Sequence, residues 1–411
     1  MKTTIKLIAK LLIYLALYAF SLVSFKIANS QNLTQVIKGN IVDVETQTTL
    51  PGATVVVLGT NPTLGTSTDI NGNYRIENAP LGRYSIQIAF VGYEQVVIPE
   101  ILVTSSKEVV LNIGLKQSIN HIQEVVVKAH TRKDKPMNPM ATISAKSFTV
   151  EETRRYAGGL DDPARMVSAF AGVTVGNIQD NAIIIRGNSP KGVSWRLEGV
   201  EIPNPNHFAG GNVAGGGVVT VFSSQLLANS DFFTGAFPAE YGNALAGVFD
   251  MKLRSGNNEK RESTFQAGIM GIDFASEGPF VKGGKSSYLF NYRYSTLDLI
   301  SKMGLIPSEQ IPRYQDLSFK LNFPTSKAGT FSIWGVGAID NNTEPEDKDS
   351  VNWETDWDRT SYDWNISMGA AGITHKILLG SKTYLNTSLA ASGTVNTMYG
   401  ERYDDMLILR P

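Results

Sequence analysis

The middle of the chain reads DDPARMVSAFAGV at 161–173, IIIRGN at 183–188, WRLEGVEIPNPNHF at 195–208 and FFTGAFPAEYGNALAGVFDMKLRSG at 232–256. Asp162 is a favourable N-cap and Pro163 suits the first position of a helix. The apolar residues that follow keep helical spacing until Gly172 ends the helix. The other stretches are β-prone runs separated by glycine-rich turns. Together they predict a compact α/β unit over residues 142–257.

In this order the motifs resemble the plug domain of TonB-dependent outer-membrane receptors of the Bacteroidetes type. The resemblance implies a unit that closes a β-barrel. In the family, the arginine that matches Arg186 helps to hold the plug against the barrel wall. An unpaired charge there would be costly, so Arg186 should find a carboxylate. The alternative is a solvated arginine at a strand end. The transported ligand is expected to meet an apical plug loop that includes Asn204, Asn206, His207, Phe208 and Asn212.

Beyond Asn257 the sequence alternates apolar or aromatic residues with polar ones. Tyr288 and Phe290 share one face of a strand, whereas Asn291 and Arg293 share the other. A soluble sheet with one buried face would alternate too, but short turns that alternate with long connections are typical of outer-membrane barrels. The pattern predicts transmembrane strands near 262–279, 286–298, 315–323, 329–339, 361–378 and 383–398.

Plugged outer-membrane transporters use 22 strands, and residues 258–411 have room for only about six. We therefore expect a truncated or fragmentary chain that contains the front portion of a transporter. The predicted fold is multidomain: an all-β sandwich, then an α/β plug, then an incomplete antiparallel transmembrane β-barrel.

Upstream, residues 31–118 alternate short β-branched runs with turn signals, which predicts a β-sandwich of about seven strands. The motifs KGNIVDV, LPGATV and TDINGNY resemble the carboxypeptidase regulatory-like, carbohydrate-binding-like domain. The resemblance implies an interaction module for glycan or protein and no peptidase activity. Residues 69–73 also match the start of a calcium loop, but Pro80 occupies the position of the bidentate glutamate, so a hairpin turn competes with that interpretation.

A charged, proline-containing linker spans residues 119–141. It includes the β-prone residues Glu124, Val125, Val126 and Val127, which could add a strand to the sheet edge of a partner. A last strand of the sandwich is the alternative. In the TonB-dependent family a segment of this kind, just ahead of the plug, is the TonB box that an inner-membrane energy transducer grips.

Residues 1–30 have the features of a signal peptide. Lys2 and Lys6 precede an apolar run, and Ala28 and Ser30 are small residues at the cleavage site. The apolar run is shorter than the roughly 20 residues that span a bilayer. With the plug motifs, this predicts the cell outer membrane of a Gram-negative bacterium as the location, with the N-terminal domain in the periplasm.

Composition and motif searches exclude several classes of function. The 37 basic and 38 acidic residues give no basic surface for nucleic acid. The absence of cysteine removes disulfides and thiolate metal sites. The four histidines lack metal-ligand spacing, and neither H-E-x-x-H nor G-x-S-x-G occurs. We expect no catalytic residue, no metal and no cofactor, and therefore no enzyme.

The resemblance to TonB-dependent receptors implies energy-coupled uptake of a nutrient, with siderophore, glycan and peptide all open. The implied partners are a TonB-type energy transducer, outer-membrane lipid, the barrel-assembly machinery, the transported ligand and a surface lipoprotein. The alternative is a binding or signalling receptor that does not transport and uses the N-terminal module.

Overall fold

The computed structural model describes residues 33–44, 46–117, 138, 144–148, 153, 156, 158–159, 161–177, 180–210, 214–268, 271–295, 313–347, 349–356, 358–380, 383–404 and 409–410. The predicted signal peptide and the segment Glu124 to Val127 lie outside the described residues. We call residues 33–117 the sandwich, 138–253 the central unit, 254–261 the junction and 262–410 the strand wall.

The sandwich consists of two facing sheets. In one, β1 pairs antiparallel with β4 and parallel with both β7 and β8; in the other the order is β3-β2-β5-β6. Between β7 and β8, Leu111 donates its backbone N–H to Lys38 O of β1 at 2.8 Å. The strands are β1 Thr34–Asp43, β2 Thr54–Leu58, β3 Leu64–Ser67, β4 Asn73–Pro80, β5 Gly82–Ala89, β6 Val96–Val103, β7 Val109–Val110 and β8 Ile113–Leu115.

Alternating β-branched residues from both sheets meet in a closed apolar core. Ile37 and Ile41 on β1 are fully buried, as are Val55 on β2 and Ile88 on β5. Gly39 is required between the two β1 residues, because a Cβ there would lie 1.7 Å from Leu111 O. The core of the sandwich contains residues of the sandwich alone.

Residues 69–73 form the turn that joins β3 to β4. Asp69 Oδ1 accepts hydrogen bonds of 2.8 Å from the backbone N–H groups of Asn71 and Asn73. Gly72 adopts a left-handed conformation with φ of 73°, which glycine tolerates without steric cost. Asp69 thus stabilises a tight turn, but β3 and β4 pair with different strands, so the turn carries the chain from one sheet to the other and the predicted hairpin is wrong.

The central unit is built on a five-stranded sheet of order β13-β12-β15-β14-β9, in which only β12 and β15 run parallel. A separate hairpin, β10-β11, lies beside it. The strands are β9 Ala145–Phe148, β10 Val173–Asn177, β11 Asp180–Ile185, β12 Val193–Leu197, β13 Val200–Ile202, β14 Ser230–Phe233 and β15 Gly247–Met251.

The predicted helix of the central unit is present but short. Helix α1 spans Pro163–Met166 and continues as a 3₁₀ turn through Val167–Ala169. Asp162 caps it by accepting a 2.8 Å hydrogen bond from Ala164 N. Phe170 is already extended, so the helix ends before Gly172. Within the described part of the chain, no helix is long and apolar enough to cross a membrane.

The strand wall is one antiparallel sheet in which each strand pairs with the next along the chain, from β16 to β23. The predicted strand at 262–279 is in fact the hairpin β16-β17, reversed where Gly268 pairs with Gly271. Among the described strands this sheet does not close. Its strands are β16 Glu262–Gly268, β17 Gly271–Pro279, β18 Ser287–Tyr294, β19 Arg313–Pro324, β20 Thr330–Glu344, β21 Thr360–Leu378, β22 Tyr384–Tyr403 and β23 Leu409–Arg410.

The connections between strands of the wall differ at the two ends of the strands. At one end of the strands, residues 280–286, 325–329 and 379–383 make short turns. At the other end, longer stretches of sequence, 295–312 and 345–359, separate consecutive strands, but the hairpin β16-β17 also reverses there. The predicted alternation of short turns and long connections therefore holds from β17 to β22 and not at β16-β17.

The core of the central unit is shared with the wall. Phe249 stacks on Trp195 with ring centroids 4.4 Å apart and also contacts Phe232 at 4.4 Å. Trp334 on β20 and Leu289 on β18 are fully buried in the same cluster. The central unit therefore completes its apolar core with side chains of the wall.

Candidate functional site between the central unit and the strand wall

The wall buries its polar face and exposes its apolar face. Asn291 and Asp316 are 0% and 2% exposed, whereas Leu317 and Leu389, on the opposite face, are 46% and 75% exposed. A soluble sheet buries its apolar face, so this order is inverted. The outward surface suits hydrocarbon, and the inward surface suits a polar partner.

The central unit is that polar partner. Lys320 of β19 reaches both carboxylate oxygens of Glu198, at 2.9 and 3.0 Å, and Leu253 O at 2.8 Å. Ser223 of the central unit donates its hydroxyl to Asp273 of β17 at 3.0 Å. These contacts satisfy polar groups of the wall that would otherwise be buried without partners.

His207 is the most enclosed titratable group of this interface, with none of its surface exposed. Its Nδ1 lies 2.5 Å from Asp340 of β20 and its Nε2 lies 2.9 Å from Asp316 of β19. Phe208 donates its backbone N–H to the second oxygen of Asp340 at 2.8 Å. The loop of the central unit thus binds two neighbouring strands of the wall through one imidazole ring.

This geometry sets the charge of the imidazole. A neutral histidine has one N–H donor, but here each ring nitrogen faces a carboxylate, so both nitrogens donate only when the ring is protonated. Burial by itself would lower the pKa of His207, but hydrogen bonds and charge from Asp316 and Asp340 outweigh it and raise that pKa. The two aspartates therefore favour the protonated form of the His207 ring.

Arg293 of β18 connects this cluster to the helix of the central unit. Its Nε donates to Asp316 at 2.7 Å and its Nη2 donates to Thr220 O at 2.6 Å. Thr220 N in turn donates to Asp162, the residue that caps helix α1, at 2.6 Å. A continuous chain of buried hydrogen bonds therefore runs from the wall to the helix N-terminus.

The loop that was predicted to face the ligand is largely buried in the structure. Asn206, His207 and Phe208 are at most 6% exposed; His207 and Phe208 contact the wall, whereas Asn206 bonds to Asn181 and Asn204 within the central unit. Asn204 is half-buried and accepts hydrogen bonds from Asn206. Asn212 lies outside the described residues. A ligand contact by this loop stays a prediction, and the contact seen in the structure is with the wall.

Arg186 lies on an exposed turn directly after β11, in a left-handed conformation with φ of 50°. Its Nη2 lies 3.4 Å from Ser144 Oγ, and its guanidinium covers Gly235, both of which belong to the central unit. In the described residues the expected carboxylate is not at hydrogen-bonding distance from it. Its role against a barrel wall stays a prediction.

The residues that do bridge the two parts were not singled out for this purpose from sequence. The pattern placed Arg293 only on the polar face of its strand and assigned no role to Asp316, and Asp340 lies just beyond the predicted strand 329–339. The signal that could have found them is the combination of charge and inward register. In the described residues, no group of three acidic or imidazole side chains is arranged to hold a metal ion.

Comparisons with known proteins agree with these observations. Residues 37–127 match the family model described as the CarboxypepD_reg-like domain. A curated protein, the TonB-dependent transporter Oar of Myxococcus xanthus, is 24% identical over 237 residues. The chain is related to the TonB-dependent transporters. The match covers 55% of this chain and 21% of Oar, so the chain spans about a fifth of the length of this TonB-dependent relative.

Two solved structures show partial similarity to this chain. The siderophore receptor PirA from Pseudomonas aeruginosa is 14% identical, with a TM-score of 0.41, over 66% of this chain and 46% of its own. The outer membrane transporter YddB from Escherichia coli is 12% identical, with a TM-score of 0.35, over 64% of this chain and 49% of its own.

Proposed function

We propose that the chain is the front portion of a TonB-dependent outer-membrane transporter that takes up a nutrient by energy coupling. In this proposal the central unit is the plug, and the strand wall is the first part of the barrel that surrounds it. The cargo class, whether siderophore, glycan or peptide, stays open. The reaction involves binding and passage, and no covalent bond of the cargo changes.

The observation that carries this proposal is the inverted wall. Its exposed face presents large apolar side chains, for example Phe265 at 69% and Ile339 at 55% exposed. Its buried face presents carboxylates, amides and Lys320 to the central unit. An apolar band outside with polar contacts inside is the requirement for a membrane barrel that contains a hydrated plug.

The position of the sandwich supports a periplasmic location for it. The sandwich contacts the wall at Glu277, close to the end of β17 and to the short turn 280–286. Short turns lie on the periplasmic side of outer-membrane barrels. We therefore place the sandwich in the periplasm, on the side from which an inner-membrane transducer approaches residues Glu124 to Val127.

The test is deletion of residues 122–129 in a full-length version of the transporter. We expect the variant to reach the outer membrane, to lose capture of the purified periplasmic domain of a TonB protein, and to lose uptake. The matched control replaces residues 131–137, in the same linker, with glycine and serine and should retain both. Unchanged capture and uptake after deletion would contradict energy coupling through this segment.

A second candidate is a receptor that binds or signals without transport. It is favoured by the self-contained core of the sandwich, which suits an independent interaction module. A second deletion distinguishes the two candidates. Deletion of the whole sandwich should abolish the response of a signalling receptor, whereas a transporter that keeps residues 122–129 should still take up its cargo.

A further inference from the structure

Two buried carboxylates lie where the sandwich meets the junction and the wall. Glu108, beside β7 of the sandwich, is 7% exposed, and Glu277 of β17 is 2% exposed. A carboxylate at this depth is stable only when cations and hydrogen-bond donors surround it. The cations that surround each of these carboxylates come in part from the other side of the contact.

Glu108 of the sandwich is held by its own module and by the junction. Lys38 of β1 lies 2.8 Å from it, and Lys260 of the junction lies 2.7 Å from it. Glu277 of the wall is held by Arg254 of the junction through two bonds of 2.6 and 2.7 Å, and by Lys107 of the sandwich at 3.0 Å. A lysine of the junction therefore pairs with the sandwich carboxylate, and a lysine of the sandwich pairs with the wall carboxylate.

Asn257 joins the two carboxylates at the centre. It is 1% exposed, donates its side-chain amide to Glu108 at 3.1 Å and donates its backbone N–H to Glu277 at 2.9 Å. Its side-chain oxygen accepts from Lys38 at 2.9 Å. Both polar atoms of this side chain contact the sandwich, and its oxygen also accepts from the backbone N–H groups of Glu259 and Lys260 within the junction.

We propose that these residues form a clasp, a docking surface by which the sandwich seats on the junction and fixes the central unit to the first hairpin of the wall. The clasp consists of Lys38, Lys107, Glu108, Arg254, Asn257, Lys260 and Glu277. Its occupant is the sandwich of the same chain, because that module satisfies the charges of the clasp and the buried amide of Asn257.

The clasp is closed at neutral pH. Burial alone would raise the pKa of Glu108, but hydrogen bonds from Lys260, Lys38 and Asn257 lower it to about 2. A carboxylate with a lowered pKa contributes stability above its ordinary pKa and loses it only as pH falls through the lowered value. Physiological acidification therefore does not open the clasp, and release requires force or competing ions.

The clasp gives the proposed transport cycle a first point of load, and this consequence rests on the proposed function. The described sandwich ends at residue 117, only a few residues before Glu124 to Val127. A pull on that segment acts on the docked sandwich on one side and on the central unit on the other. The weaker of two attachments separates first: that of the sandwich to the junction or that of the central unit to the wall. The clasp determines the strength of the attachment of the sandwich.

The test measures docking directly and needs no cargo. Because the chain has no cysteine, spin labels can be placed at Val91→Cys, which is 88% exposed, and at the exposed Lys282→Cys in the full-length protein. We expect one narrow distance distribution by pulsed electron paramagnetic resonance. Glu108→Gln combined with Lys107→Met should broaden it, with loss of the narrow peak.

A control variant and a second measurement keep the result interpretable. Glu77→Gln removes the same charge from an exposed side chain at the edge of the cluster and should leave the narrow peak intact. Hydrogen exchange in the core of the sandwich should be unchanged in the double variant, which distinguishes loss of docking from misfolding of the sandwich. A narrow peak in the double variant would overturn the clasp, and it would leave the transport proposal untouched because uptake is not measured.

Discussion

The sandwich and the central unit bury their apolar residues in opposite ways. The sandwich surrounds Ile41 and Ile88 with residues of its own two sheets, whereas the central unit surrounds Phe249 with its own residues and with Trp334 of the wall. A module whose core is formed by its own residues can fold independently of the rest of the chain. A unit that shares its core with a second part of the chain folds together with that part. This difference distinguishes the central unit from the sandwich.

The strongest way to break the comparison is to separate the parts. We expect residues 33–117 alone to unfold cooperatively with protected core amides, and residues 138–257 alone to lack a cooperative transition. The reason is that removal of the wall exposes the shared face of the core and leaves Glu198 and His207 without their partners. Thermal melts and hydrogen exchange measure both. A cooperative transition in the isolated central unit would refute the contrast.

A single core substitution sharpens the comparison. Phe249→Ala should lower the free energy of unfolding of the central unit by about 3–5 kcal/mol, because a large ring is lost from a closed cluster. Hydrogen exchange should also rise in β20, where Trp334 shares that cluster. The matched variant Ile88→Ala should cost about 2–5 kcal/mol and affect only the sandwich. Loss of protection confined to the central unit in Phe249→Ala would count against a shared core.

The smallest expected effect concerns pH. Because its partners raise the pKa of His207, the contact is fully formed below the ordinary histidine value and weakens as pH rises through the raised value. Bonds to charged groups of this kind contribute about 1.5–3 kcal/mol. Protection of amides in residues 204–210, corrected for intrinsic exchange, should be highest below the ordinary histidine pKa and should fall as the pH rises above it.

The control for that prediction is His207→Gln, which cannot gain or lose the proton. It should show weaker protection that is flat across the same pH range, while the sandwich amides are unchanged in both proteins. Equal pH dependence in His207→Gln would show that the titrating group lies elsewhere.

Period-two patterns were predictable from the sequence because each strand position fixes its face. Phe290 and Asn291 were assigned to opposite faces, and the structure buries Asn291 while Phe290 lies on the outward side. The hairpin β16-β17 was missed because 262–279 alternates almost without interruption, and two glycines were its only turn signal. The helix was predicted too long because Phe170 leaves helical geometry to pack on Phe232.

The candidate site was harder to predict, because its residues meet only after folding. His207 is separated from Asp316 by 109 residues and from Asp340 by 133 residues. The sequence gives His207 no local partner, and its placement in a glycine-rich loop suggested contact with ligand. The clasp was equally invisible, since Glu108 and Glu277 are unremarkable single carboxylates in their own strands and turns.

The polar contacts between the central unit and the wall affect how these two parts separate. When an apolar interface separates, water cannot replace the lost contacts and the whole buried area resists. When Lys320 separates from Glu198, or His207 from its two carboxylates, water can hydrate each group in turn. The polar contacts between the central unit and the wall can therefore be exchanged for water one at a time, whereas the shared apolar core around Trp334 resists separation over its whole buried area.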